Sequence, residues 1–152
     1  WKSYAWTYAR EEQLQAMEVD GTGMAVTIDL DNANDIHPPN KIDVGERLAL
    51  WPLAKLYGKK VAFSGPLFRD AKVRDAEVVV GFDYAKEGLM IGRIVGVGKS
   101  VEANDGYLNG FELVGEDGVW HPAKAKVKGR TVLVKSLSVK QLDRQLIFIL
   151  KF

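Results

Sequence analysis

Met24-Ala25-Val26-Thr27-Ile28-Asp29-Leu30, followed by Asn34-Asp35-Ile36-His37-Pro38 and then Asp43-Val44-Gly45-Glu46-Arg47-Leu48-Ala49-Leu50-Trp51, is the stretch on which the fold class turns. The first segment is apolar in consecutive positions, the pattern of a strand buried on both faces. Asp43, with Glu46 three residues later, reads as a capping box opening a helix. The local order is strand, loop, helix, which predicts an α/β arrangement. In open α/β sheets ligands bind beyond the carboxyl ends of the strands, so this loop, and His37 within it, should face a site.

An imidazole titrates near neutrality, and a neighbouring carboxylate fixes its tautomer and stabilises the imidazolium formed when it takes a proton. His37 and Asp35 are therefore a candidate general base and its orienting acid, with Asp31 and Asp29 as alternatives if the loop folds back. The competing reading is a solvated turn in which Asp35 merely caps local backbone.

Outward from this loop, residues 3–18 read as a helix with Trp6, Arg10, Leu14 and Met17 in line, and residues 44–57 as a second helix. Pro52 lacks a backbone donor and is expected to kink it. After Phe63 the pattern changes to short β segments at 71–74, 77–82, 88–97, 111–114, 123–127 and 131–135, separated by Gly-rich turns. Val127-Lys128-Gly129-Arg130-Thr131 reads as a tight hairpin and Glu116-Asp117-Gly118 as another turn. The division expected is residues 1–63 as an α/β segment and 64–152 as a β-rich accessory domain with a sandwich-like fold.

Composition excludes several classes. At 152 residues the chain is long enough to bury a core, and 47% hydrophobic content fits a globular protein. Lys plus Arg number 21 against 20 Asp plus Glu, so net charge does not point toward nucleic acid or an anionic membrane. No apolar run approaches the roughly 20 residues of a membrane helix. Cys is absent, which removes disulfides and thiolate metal sites.

At this point the residues carry a resemblance. Trp6, Arg10, Gln13, Gly23 to Asp29, Asp35-Ile36-His37-Pro38, Asn40-Lys41, Gly45 to Ala49 and Tyr57-Gly58 resemble the C-terminal part of the sialate O-acetylesterase family, a branch of the SGNH hydrolases. Downstream, Ser64-Gly65-Pro66, Gly88-Leu89, Gly110-Phe111-Glu112 and Ala123-Lys124-Ala125 resemble the β-rich region that follows the catalytic fold there. The likeness runs from about residue 1 to 138.

The resemblance implies the C-terminal segment of an SGNH-type α/β hydrolase fold followed by a small β-sandwich-like domain. It implies a serine-type carbohydrate esterase that removes O-acetyl groups from sialic acid or related sugars, with no cofactor, His37 as base and an extracytoplasmic location. The family's serine lies in a Gly-Gln-Ser or Gly-Asp-Ser stretch. None of Ser3, Ser64, Ser100, Ser136 and Ser138 follows such a pair, and there is no Gly-x-Ser-x-Gly elbow. The expected partners are thus an acetylated sugar and the remainder of the esterase chain, which carries the nucleophile. The start at Trp1 agrees with a fragment or processed piece. Many SGNH enzymes place an Asp three residues before the His, where this chain has Asn34, so Asp35 takes the acid's place with an altered spacing. The tail 141–152 departs from the family pattern, as either an altered reading frame or a divergent terminal strand.

Other motifs are set aside. Gly98-Lys99-Ser100 lacks the glycine a phosphate-binding loop needs at position 93, which is Arg. Asp29, Asp31 and Asp35 lack the spacing and the closing Glu of a calcium loop. His121 reads as a surface residue, and Trp1, Trp6, Trp51 and Trp120 as core or interface anchors. A noncatalytic carbohydrate-binding or interaction module, with His37 vestigial, is the alternative to the esterase.

Overall fold

The computed structural model describes residues 4–30, 37, 39–75, 77–93, 101–103, 106–139 and 149–150. They fall in two compact units, one comprising Trp1–Gly65 with Gly96–Lys99, the other Pro66–Val95 with Ser100–Phe152. The chain is mixed α/β, with the helices in the first unit and an antiparallel sheet in the second.

In the first unit, α1 (Tyr4–Gln15) runs into a short 3-10 turn (Ala16–Glu18), close to the helix expected over 3–18. Arg10, Leu14 and Met17 along its predicted line are all partly buried.

Helix α2 (Lys41–Lys55) begins earlier than read. Its cap is Asn40, not Asp43: the Asn40 side-chain oxygen accepts the Asp43 backbone N–H at 3.2 Å, while Asn40 Nδ2 donates to Asp43 Oδ2 at 2.7 Å. This is an N-cap three residues upstream of the one read, and Asp43, near the positive end of the helix dipole, accepts from the Asn40 side-chain amide where a capping box would use the backbone N–H. The helix continues past Pro52, whose carbonyl accepts from Leu56 N–H at 2.9 Å.

The expected strand over 24–30 is not formed. Residues 22–27 have no regular structure, and Ile28–Leu30 is a 3-10 turn. The reason is that a strand exists only as one side of a ladder, and among the described residues of this unit no other strand supplies the opposite side. Side chains of α2 take up its carbonyls instead. Residues 24–30 therefore do not set His37 beyond the carboxyl end of a strand.

The second unit holds β1 (Leu67–Arg74), β2 (Glu77–Asp83), β3 (Gly92–Arg93), β4 (Val101–Glu102), β5 (Leu108–Val114), β6 (Trp120–Lys128), β7 (Thr131–Lys135) and β8 (Ile149–Leu150). Six of these form one antiparallel sheet in the order β1-β2-β7-β6-β5-β8, and β3 pairs with β4 separately. Among the described residues the longer strands all belong to this one sheet.

Alternate residues line one face. Val78 and Val80 of β2, Val132 and Val134 of β7, Ala125 of β6, and Phe111 and Leu113 of β5 are buried together with Val139. The sheet curls over this face. Irregular register between Phe68 and Asp70 in β1, and between Leu108 and Phe111 in β5, is the kind of bulge that adds local twist.

The hairpin read at 127–131 is present. Lys128 pairs with Thr131, and Gly129 adopts φ +59°, a conformation the two-residue loop needs at its first position. The turn at 116–118 is closed by Gly118 N–H to Gly115 O at 2.9 Å. Of the tail, Ile149–Leu150 pairs with β5 as an edge strand, and the other residues of 140–152 lie outside the described residues.

Candidate functional site

His37 is exposed, and the chain on both sides of it is tied to α2. Upstream, Trp51 is buried and its indole Nε1 donates to Met24 O at 2.8 Å. Gly23 lies so close to that ring that a Cβ there would sit 2.5 Å from Trp51 Cδ2. Only glycine fits without moving the indole. Phe63 packs edge-on against Trp51 with ring centroids 4.8 Å apart, and Lys55 Nζ lies 4.5 Å from the Phe63 centroid.

One turn earlier on α2, Arg47 performs two tasks. Its Nη1 donates to Val26 O at 2.7 Å and to Asp29 Oδ1 at 2.6 Å, and its Nη2 donates to Asp29 Oδ2 at 2.7 Å. This is a bidentate charge-assisted pair, the geometry that a guanidinium favours. Hydrogen bonding from Arg47 holds the Asp29 carboxyl below the usual carboxylate range, against the opposing effect of its partial burial. A 3-10 bond from Leu30 N–H to Thr27 O at 2.9 Å completes the anchored segment, with Leu30 buried.

Downstream of His37, the reciprocal Asn40–Asp43 pair fixes the start of α2, and both residues are buried. The loop carrying His37 thus leaves one clamp, Asp29 on Arg47, and enters another, Asn40 on Asp43, with both clamps on one helix.

Of the sequence-predicted residues, His37 is placed in this loop, while Asp35 and its alternative Asp31 lie outside the described residues. Asp29, the other alternative, has both oxygens on Arg47 and is a structural anchor. Arg47 and Asn40 were not anticipated as site-forming. The three-residue spacing of Asn40 and Asp43 was visible, but the partnership of positions 29 and 47 arises only on folding.

Elsewhere, His121 departs from its reading as a surface residue. It is partly buried, and its Nε2 lies 3.7 Å from Asp117 Oδ2 across the β5–β6 turn. Asp117 is also committed to that turn, accepting Val119 N–H at 3.0 Å. Two serines are spent on backbone: Ser64 Oγ donates to Gly65 O and buried Ser136 Oγ to Pro122 O, each at 2.9 Å. Among the described residues no three His, Asp or Glu side chains gather where they could hold a metal ion. No helix among them is long and apolar enough to cross a membrane.

No family model matches the chain, and no curated protein does. Among solved structures it is similar to a novel carbohydrate acetylesterase from Xanthomonas citri, with a TM-score of 0.73 and 36% sequence identity over 88% of this chain. The chain spans only 28% of the length of that esterase, so the likeness is to one part of a much longer molecule.

Proposed function

We propose that this chain is the C-terminal portion of a serine-type carbohydrate O-acetylesterase with an SGNH-type catalytic fold, and that it supplies the general base. The observation that carries this reading is the 36% identity across 88% of the chain to part of a carbohydrate acetylesterase. The exposed imidazole held between two clamps supports it. The substrate class is O-acetylated sugars, with sialic acid foremost, and an extracytoplasmic location goes with that chemistry.

In this reading the serine hydroxyl, supplied by the remainder of the esterase, attacks the acetyl carbonyl as His37 accepts its proton. The tetrahedral oxyanion collapses, the imidazolium gives that proton to the departing sugar oxygen, and an acetyl-serine is left. His37 then takes a proton from water, which attacks the acetyl-serine; as this second tetrahedral intermediate collapses, the imidazolium returns the proton to the serine oxygen, freeing acetic acid and restoring both groups. Asp35 orients the imidazole, because Asp29 is already held by Arg47. The role of Arg47 and Asn40 is to keep both ends of the loop on α2, so that base and nucleophile meet in a reactive geometry.

The test is acetate release from an O-acetylated sialoside by the longer polypeptide. His37→Ala should lower turnover by about 10³-fold or more, with KM little changed, because base and nucleophile act as a unit. Asp35→Asn should cost less. A His37→Ala variant that keeps a tenth of parental turnover refutes the assignment. The chain by itself should hydrolyse p-nitrophenyl acetate no faster than free imidazole, and phosphonate-sensitive turnover in pure chain would refute the missing-nucleophile reading.

A further inference from the structure

Helix α2 presents one face that this chain uses, through polar bonds and the Trp51 ring, and an apolar face opposite it. At 100° per residue, Asp43, Arg47, Trp51 and Ala54 fall on one side, where they hold the segment before His37 or are buried with it. Ile42, Ala49, Leu53 and Leu56 fall within a narrow stripe on the opposite side, with Gly45 at its edge. All of these are exposed, Ile42 at 67% and Leu56 at 76%. A surface helix places polar residues on its solvent side; an exposed apolar stripe opposite a face already engaged marks a second surface to be covered.

We propose that this outer stripe of α2 packs against the portion of the esterase polypeptide that carries the serine nucleophile. One helix then grips the His37 loop with one face and docks the rest of the active site with the other. The identity of the occupant rests on the esterase reading; the need for cover rests on the stripe itself.

Three observations select this occupant. The matched esterase continues well beyond the part this chain resembles, since the likeness covers only 28% of it. The stripe is four side chains on one helix, small beside the roughly 800 Å² per partner of a stable dimer, so a second copy would gain too little from it. A segment of the same polypeptide associates at a high effective concentration and can use so small a patch. In addition, Gly45 and Ala49 leave room for a flat apolar layer to approach the helix backbone closely.

The test compares one double variant, Ile42→Gln with Ala49→Lys, in two contexts by thermal unfolding and light scattering. Both positions are exposed here, so the chain alone should shift by no more than about 2 °C and stay monomeric, whereas the longer polypeptide should lose about 10 °C or become insoluble. Leu137→Gln, at an 87% exposed position in the other unit, is the control and should be silent in both. An equal loss in both contexts would show the stripe covered within this chain, and no loss in either would show it uncovered; each overturns the proposal. So does a parental chain that is dimeric and made monomeric by the pair, which would assign the stripe to a second copy. The readout is stability and not acetate release. A longer polypeptide that is destabilised as expected but never active would support the docking and refute the esterase reading.

Discussion

The two units of this chain are held together by different physics. In the sheet unit the buried residues are mostly aliphatic, with Val78, Val80, Leu113, Ala125, Val132 and Val134 almost fully excluded from water. Their contribution is non-directional and roughly proportional to area. In the helical unit the buried residues among those described are Leu30, Trp51, Asn40 and Asp43, half of them polar. What organises it is a set of directed bonds from α2: the indole on Met24, the guanidinium on Val26 and Asp29, and the cap pair. Area gives stability and tolerates neighbouring shapes, whereas directed bonds give position. A loop whose ends must be held in place belongs on the second kind of support.

That contrast is open to attack, beginning with the largest effect. Leu113→Ala removes a fully buried side chain next to Phe111, Ala125 and their neighbours, and should cost the sheet unit about 2–5 kcal/mol in urea unfolding. A loss below about 1 kcal/mol would mean that the sheet does not rest on its apolar face.

Gly23→Ala strikes the other unit by steric means. The added methyl would overlap the Trp51 ring, at 2.5 Å from Cδ2, so the indole must shift at a cost of about 1–3 kcal/mol. The Trp51 indole N–H signal in NMR should lose its protection as the bond to Met24 O is broken. An unchanged indole signal would show that the segment over 23–30 yields more readily than the clamps imply.

Asn40→Ala should cost about 1 kcal/mol as a lost helix cap, and somewhat more because it leaves the buried Asp43 carboxylate short of a donor. Amide exchange in the first turn of α2 is the measurement. Equal effects there and at the helix's C-terminal turn would argue that the cap does not act locally.

The smallest effect is the pH dependence carried by Asp29. Its folded pKa lies below its unfolded value, so the unfolded state binds the proton first as pH falls. The stabilisation is present above the unfolded value of about 3.9 and is lost as pH drops through the lower folded value. Because the Asp29 and Arg47 side chains are 42% and 29% exposed, screening keeps the contribution below about 1 kcal/mol. The Trp51 indole signal should weaken below about pH 4 in the parent and lose that step in Asp29→Asn.

What was legible in the sequence is the local part. The two helices follow from apolar periodicity and polar caps. The hairpin at Gly129 follows from a glycine where a positive φ is required, and strands such as Thr131–Lys135 follow from alternation against a buried face. His37 stood out because only two histidines occur.

The failures involve partners distant in sequence, a choice among adjacent candidates or, for His121, a turn that folds it onto a near neighbour. Whether 24–30 becomes a strand depends on a neighbouring strand, which periodicity within the run does not reveal. The glycine at 23 is explained by an indole 28 positions on, and Asp29 by a guanidinium 18 positions on. The cap moved from Asp43 to Asn40 because Asn40 offers both an acceptor for an orphan N–H and a donor for Asp43, which an aspartate at the cap could not do. His121 met Asp117 because the β5–β6 turn folds the two together.

By itself, then, the sequence determined the helices, the tight turns and the alternation of the sheet, since each depends on contacts within a few positions along the chain. Tertiary structure alone decided which carboxylate is an anchor, which glycine is obligatory, that the longer strands join in one curled sheet, and that α2 is left with an unused apolar face. Each of those depends on which distant groups are brought within a few ångströms, where desolvation and hydrogen-bond geometry, not local propensity, set the outcome.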